Sequence, residues 1–469
     1  MDGDLAWVRN AVRTALDGGE PYVPAGRTSE APLPDGTALV VRTSGSTASP
    51  REVALSAAAL RASAAATHER LGGPGRWFLA LPATHVAGLQ VVSRAILAGA
   101  DVGGGAAGPF TPEGFAAEAG AFLSAGLSAG PAASRSAGSS AELVAAPWAG
   151  PVAGPAARSS AGSASPASAA SSSARDLPAY VSLVPTQAHR LVEAAAAGAP
   201  AGLRTLARFD AVLLGGAATP LRLLTRLREA GVRAVTTYGM SETSGGCVYD
   251  GVPLPGVRLR LTDPFPSRGS DSGPVAQAEI ADESVHSREN RLPAAARAQG
   301  AGGGAGVVEI SGSVLASGYV GDDGATAASF RVDGDGTRWF RTSDLGRFDA
   351  GGRLEILGRA DDVIVTGGVN VAPAAVEAAL AELGEVCVVG LPDDEWGQAV
   401  VAVLVSPDAG AQPTPAPPGL LDRARTLAAD TLGRTSAPRM LYVIGSLPLL
   451  GPGKPDRQAL TTSLKNLPA

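Results

Sequence analysis

The chain is short of several things, and each shortage removes a class of explanation. It has 469 residues and only two cysteines, Cys247 and Cys387, far apart and in no metal-ligand spacing. That argues against a disulfide framework or a zinc site and leaves buried thiols. Charged residues are 17% of the sequence, no run of Lys or Arg occurs, and the formal net charge is -6. The electrostatic footprint of a nucleic-acid or membrane-surface partner is therefore missing, and small-molecule substrates are expected. No stretch approaches the roughly 18 apolar residues that suggest a membrane span. The opening Met-Asp-Gly-Asp is neither a basic leader nor an apolar core, so the expected location is cytoplasmic. The oligomeric state, a homodimer included, stays open.

What is present is enough chain for more than one hydrophobic core. From residue 37 to about 257, short apolar runs (38–42, 77–81, 180–184, 212–214, 234–237) alternate with helical patterns (54–70, 187–197, 220–230). Such alternation predicts βαβ units and a mostly parallel sheet. After Gly256 the runs shorten and alternate (258–261, 307–310, 354–357), which predicts a small antiparallel β subdomain, and a compact, mobile α+β domain is expected from about residue 361. The fold class is thus α/β, with domains at 1–360 and 361–469. Two stretches interrupt it. Residues 125–175 are almost wholly Ala, Ser, Gly and Pro and cannot bury enough apolar surface to offset their entropy, so they read as a surface insertion. Residues 264–306 read similarly.

Three pattern matches mislead. Gly126-Leu127-Ser128-Ala129-Gly130 fits G-x-S-x-G but lies in low-complexity sequence with no strand before it. The glycines from Gly103 to Gly108 fit a dinucleotide fingerprint, yet Pro109 and Pro112 follow where a helix should open. Gly453-Lys454 resembles the end of a Walker A motif, but Pro448 and Pro455 occupy its first-glycine and hydroxyl positions.

The informative segment is Thr43-Ser44-Gly45-Ser46-Thr47-Ala48-Ser49-Pro50-Arg51, read as following a strand and preceding a helix. Small hydroxyl residues and glycine let backbone N–H groups converge on an anion, so this is a phosphate loop by composition. Further along stand Gly215-Gly216-Ala217, Thr237-Tyr238-Gly239-Met240-Ser241-Glu242-Thr243, Arg341-Thr342-Ser343-Asp344, Gly358-Arg359-Ala360-Asp361-Asp362 and Gly451-Pro452-Gly453-Lys454-Pro455-Asp456-Arg457. Together these resemble, in order, the signatures of the adenylate-forming superfamily of acyl-CoA synthetases, adenylation domains and luciferases. The resemblance implies activation of an acid by ATP with Mg2+, followed by transfer to CoA.

It also implies roles. Thr43, Ser44, Gly45, Ser46, Thr47 and Arg51 would hold phosphates. Gly215, Gly216 and Ala217 would line adenine, with Tyr238 stacked on it and Gly239 and Ser241 beside it. Asp344 would accept from the ribose hydroxyls, and Arg359 would reach ribose or phosphate. Glu242 would bind Mg2+, a solvated acid being its rival reading. Lys454 would bridge the attacking carboxylate and the α-phosphate. Asp361 would be the hinge, and Thr366, Gly367, Gly368 and Asn370 would face the pantetheine tunnel of CoA. Ala48, Arg51 and Ser343 depart from the usual glycine, lysine and glycine, which puts turnover rate in doubt.

The acid is read from residues 81–90, 182–187 and 241–251, which look like those of the 2-succinylbenzoate–CoA ligases of menaquinone biosynthesis. An aromatic dicarboxylate needs donors at its far end, and His85, Gln90, Ser182, Thr186 and the backbone of Gly245 and Gly246 could supply them, His85 also having a catalytic role. A core histidine is the bland alternative at position 85. A ligase for another aryl or acyl acid, a carrier-protein-loading adenylation enzyme and an inactive scaffold remain open.

Overall fold

Continuous apolar runs mark strands covered on both faces, and the central sheet is built from such runs. In the computed structural model, which describes residues 5–24, 26–43, 50–105, 108–125, 177–263, 276–278, 305–450 and 454–467, seven strands form this sheet. Their spatial order is Val102–Gly104, Arg76–Leu79, Ala179–Leu183, Ala211–Leu214, Ala234–Met240, Gly245–Tyr249 and Val252–Pro253. The first five run parallel and the last two antiparallel. The side chains alternate as a strand requires. Trp77, Leu79, Tyr180, Ala211 and Leu213 face one core with the helices Leu5–Leu16, Ala57–Leu71 and Val86–Leu97. Phe78, Val181, Leu183, Val212 and Leu214 face the other with Pro112–Ala125, Pro185–Ala196 and Leu221–Glu229.

Two expectations change here. The strand Thr37–Arg42 is not in the parallel sheet; it pairs antiparallel with Glu52–Ser56, which also pairs with Gly318–Tyr319. The helix predicted from residue 54 begins at Ala57, because Ser56 caps it by accepting from the Ala59 N–H at 3.1 Å. An alanine-rich run has no apolar period to separate a buried strand from the helix after it. The phosphate segment therefore joins two strands rather than a strand and a helix. The expected insertion at 125–175 lies almost wholly outside the described residues, as does most of 264–306.

The antiparallel layer is present. Ala276–Ala278, Arg258–Thr262, Gly306–Ser311, Arg338–Phe348 and Phe330–Val332 lie side by side, and Leu354–Arg359 pairs with Arg338–Phe348. A smaller C-terminal domain follows, with strands Val369–Val371, Ile364–Thr366, Gly397–Val405, Met440–Ile444 and Thr414–Pro415 in order and Val386–Asp393 on Gly397–Val405. One face of this sheet packs Val376 of the helix Pro373–Ala379, Leu380 just after it, and Ala424 and Ala428 of the helix Pro418–Leu432; the other packs Leu460 and Leu464 from the helix Arg457–Lys465. Both cysteines are free and buried, and burial pushes each thiol up to about 12. Among the described residues no helix is long and apolar enough to cross a membrane.

Candidate active site

Leu183 and Leu214 end their strands in register with Thr236, where the parallel pairing of the strand Ala234–Met240 stops, the edge where open α/β sheets leave a crevice. The segments beyond them, Val184–Pro185, Gly215–Ala217 and Thr237–Met240, form its rim. Gly216 and Ala217 are exposed there. Gly239 is required by close approach, since a Cβ on it would overlap the Gly245 carbonyl across the turn.

That turn carries the key carboxylate. Thr243 closes it by accepting from the Met240 N–H at 2.9 Å and donating to the Gly245 carbonyl at 2.8 Å. Ser244 is held at φ 53 because its hydroxyl donates to the Val314 carbonyl at 2.8 Å. Glu242 is left 8% exposed, accepting a hydrogen bond from the Tyr319 hydroxyl at 3.0 Å. Burial pushes its carboxyl above the ordinary range, while the Tyr319 hydroxyl and the Arg51 charge pull it back. Among the described residues no group of three or more His, Cys, Asp and Glu gathers into a metal cage. One buried carboxylate fits Mg2+, which binds through one or two carboxylates and takes its remaining ligands from phosphates and water.

Across the strand Ala234–Met240, the Tyr238 hydroxyl donates to Asp344 Oδ2 at 2.7 Å, and the Asp344 N–H donates to Thr342 Oγ1 at 3.0 Å. Burial, and then the Asp344 charge, hold the Tyr238 phenol well above its ordinary value, so it stays a donor. Asp344 pairs in register with Arg359, yet the Arg359 side chain turns to Asp361, donating Nε–H to Oδ1 at 2.7 Å and Nη2–H to Oδ2 at 2.6 Å. Arg359 is thus ion-paired with the expected hinge residue rather than with Asp344.

At the base of the phosphate segment, the Thr43 N–H donates to the Arg51 carbonyl at 2.9 Å and the Arg51 N–H to Thr43 Oγ1 at 3.1 Å. Ser44, Gly45, Ser46 and Thr47 lie outside the described residues. The Arg51 guanidinium lies 5.1 Å from the Tyr319 ring centroid and 4.0 Å from Asp322.

The residues expected to hold the acid divide. Half-buried His85 precedes the helix Val86–Leu97 and makes no capping bond; burial pushes its imidazole below the ordinary value, keeping it neutral near pH 7. Gly245 opens beside this helix, with Val86 Cγ2 and Gln90 Cγ flanking the place of its missing side chain. Thr186 is half-buried in the first turn of Pro185–Ala196, and Ser182 is 7% exposed within its strand. Gln90 is placed otherwise than expected. It is 1% exposed, and its amide donates to Ser63 Oγ at 3.2 Å and to the Ser244 carbonyl. Gln90 therefore braces the Glu242 turn from behind.

In the C-terminal domain, Gly367 and Gly368 turn the hairpin between Ile364–Thr366 and Val369–Val371. Thr366 is buried and Asn370 exposed. Lys454 begins a two-residue strand opposite Leu450. Arg457 ties this segment inward, donating to both Glu377 oxygens at 2.7 and 2.9 Å and standing 3.5 Å from Asp362.

Sequence reasoning missed Tyr319 and Trp396. The Trp396 carbonyl accepts from the Gly367 N–H at 2.9 Å, and its ring fills the space a Gly367 side chain would need. Each is an isolated aromatic in a loop-like context; only the signature residues nearby could have drawn attention to it.

Comparison with known proteins adds to this geometry. The family model described as AMP-binding enzyme matches residues 171–320, and that of the AMP-binding enzyme C-terminal domain matches 375–454. A protein of Mycobacterium tuberculosis described as a probable 2-succinylbenzoate–CoA ligase is 36% identical over 433 residues, 91% of this chain and 85% of its own. A 2-succinylbenzoate–CoA ligase of Listeria monocytogenes is 28% identical over 60% of this chain and 50% of its own. The solved o-succinylbenzoate CoA synthetase of Bacillus subtilis, in complex with the acyl-adenylate intermediate OSB-AMP, aligns with a TM-score of 0.61 at 22% identity, over 92% of this chain and 70% of that one. At that identity the likeness is one of fold.

Proposed function

Because the chain belongs to the AMP-binding enzyme family, we propose that it is an ATP-dependent acid–CoA ligase that joins 2-succinylbenzoate to CoA through an acyl-adenylate, in menaquinone biosynthesis. The acid carboxylate attacks the α-phosphorus of ATP and pyrophosphate leaves; the CoA thiol then attacks the acyl carbon and AMP leaves. The observation that carries the chemistry is the turn from Met240 to Gly245 at the sheet's carboxyl edge. Buried Glu242 stands on one strand end with the Tyr238–Asp344 hydrogen bond just before it. The name and coverage of the mycobacterial relative support the choice of acid.

In this reading Asp344 accepts from the ribose while Tyr238 fixes its orientation, and Gly215 to Ala217 give adenine a flat wall. Glu242 would hold Mg2+, which when bound neutralises charge on the ATP phosphates. Arg51 and the hydroxyl-rich 43–47 segment hold phosphate oxygens. Lys454 meets the charge that grows at the α-phosphate. Neutral His85 faces the acid with Thr186, Ser182 and the Gly245–Gly246 backbone, and Gln90 keeps that floor rigid. The chain divides near residues 360 and 361, with Thr366 to Asn370 serving the CoA step and Asp361 the pivot.

The test is CoA-dependent AMP formation over a panel of acids. For 2-succinylbenzoate we expect kcat/KM at least ~100-fold above benzoate, acetate or palmitate, since a site built for a second carboxylate leaves buried donors unpaired with the others. Equal rates on palmitate would replace the proposed acid with a fatty acid. Adenylate formation with no thioester from free CoA would point to a carrier protein instead.

A further inference from the structure

Tyr319 stands where three parts of the candidate site meet. Its short strand Gly318–Tyr319 pairs with the strand leaving the phosphate segment, Tyr319 opposite Val53. The bonds on either side extend that pairing: Ser317 N–H donates to the Ala54 carbonyl at 2.9 Å and Val320 N–H to the Glu52 carbonyl at 2.8 Å. The same stretch grips the Glu242 turn twice. The Ala316 N–H donates to the Glu242 carbonyl at 2.8 Å, and the Tyr319 hydroxyl donates to Glu242 Oε1 at 3.0 Å. Both side chains are almost fully buried. The ring itself is fixed, edge-on to Phe330 with centroids 5.9 Å apart and beneath the Arg51 guanidinium.

We propose that Tyr319 is a positioning residue for the adenylation half-reaction: its hydroxyl locks the Glu242 carboxylate in one orientation relative to the strand Glu52–Ser56. This rests on the reading of Glu242 as the Mg2+ ligand. The physical reason is geometric. A glutamate has three rotatable bonds, and a carboxylate that is to hold a metal ion needs one of their many combinations. A phenol held by its own backbone pairing and ring packing removes that freedom in advance, and hydrogen-bond partners of metal-ligating carboxylates typically contribute 10–100-fold in metal affinity. The hydroxyl occupies only one carboxylate oxygen, and a carboxylate can accept at both. Packing alone would require a ring here but not its hydroxyl.

Tyr319→Phe keeps the ring and removes the hydroxyl, which donates to Glu242 and also meets the Ser329 side chain. The test titrates Mn2+ in place of Mg2+, following free Mn2+ by its paramagnetic signal with ATP and protein present, and measures metal-free ATP affinity in parallel. The variant is expected to bind Mn2+–ATP about 10-fold more weakly, with metal-free ATP affinity within about twofold of the parent protein. Glu242→Gln should lose more, and adding Tyr319→Phe to it should lose nothing further. If Tyr319→Phe holds Mn2+–ATP like the parent while Glu242→Gln does not, the positioning role is wrong and the metal reading of Glu242 stands. If Glu242→Gln itself leaves Mn2+–ATP binding unchanged, the metal reading falls and takes the proposal with it. A Tyr319→Phe loss that persists in the Glu242→Gln background would make Tyr319 a packing residue and overturn the proposal.

Discussion

His68 is the residue whose environment makes the plainest pH-dependent statement. It is 9% exposed, its Nε2 has no hydrogen-bond partner, and burial followed by the Arg94 charge lowers its pKa to about 4. Between about 6.5, the ordinary histidine value, and about 4, the unfolded chain binds a proton here that the folded chain refuses. Stability therefore rises with pH through that window and falls as pH drops through it. The loss attributable to His68 is on the order of 3 kcal/mol by pH 4. Urea unfolding from pH 7 to pH 4 should show this as an extra slope in the parent protein that His68→Gln lacks; identical slopes would refute it. The same burial was not legible in the sequence, where His68 is one position in an alanine-rich helix. Gln90 teaches the same lesson. Its residue type and its place near His85 suggested a donor facing substrate, and only the fold shows both amide hydrogens committed to Ser63 and Ser244. Tyr238, Glu242 and Asp344 were legible as a group because their chemistry sits in fixed local spacings, but the hydrogen bond joining Tyr238 to Asp344 spans 106 positions and no local pattern encodes it.

Elements with a clear apolar period were readable, and those without one were not. The parallel strands announced themselves as short continuous runs of Val, Leu and Phe, and the antiparallel layer as alternation. Residues 54–56, the end of the strand Glu52–Ser56, were absorbed into the helix after it, since small apolar residues suit both. Two-residue strands such as Gly318–Tyr319 and Lys454–Pro455 carry no period at all. The hairpin turned by Gly367 shows how an element can be tested as a unit. Gly367 has φ +56, in the left-handed region, and a Cβ there would run into the Trp396 ring. Gly367→Ala should thus displace the hairpin tip without touching the nucleotide crevice. If this hairpin serves the CoA step, thioester formation from preformed acyl-adenylate should fall by about 10-fold or more while ATP–pyrophosphate exchange stays within about twofold. Equal losses in both assays would show that the turn supports the whole domain rather than the second half-reaction.

At the scale of the molecule, the junction between the large and small domains is bracketed by charge. Arg359, at the end of the antiparallel layer, grips Asp361 with two hydrogen bonds, while Arg457, beside the Lys454 strand, grips Glu377 and approaches Asp362. A backbone rotation at residue 361 would fall between these two clasps, leaving Asp362, Glu377, Arg457 and Lys454 to move as one body. Composition hinted at this division through the change of pattern near residue 361, but the clasps join residues up to 80 positions apart and appear only in three dimensions. If opposite faces of the small domain serve the two half-reactions, two substitutions must separate them. Lys454→Ala removes a charge needed only while phosphate charge develops, so adenylate formation should drop ~1,000-fold or more, with thioester formation from preformed acyl-adenylate near the parent rate. Asp361→Pro fixes φ at the pivot and should do the reverse, retaining adenylation but losing thioester formation by about 100-fold. It also removes the partner of Arg359, so Asp361→Ala is the necessary companion, because it breaks the clasp and leaves the backbone free. Loss of thioester formation in the proline variant alone assigns the effect to rotation, and loss in both assigns it to the clasp. Should Lys454→Ala and Asp361→Pro each depress both half-reactions equally, alternation about residue 361 is not how this chain works, and Lys454 is a general nucleotide-binding or structural residue.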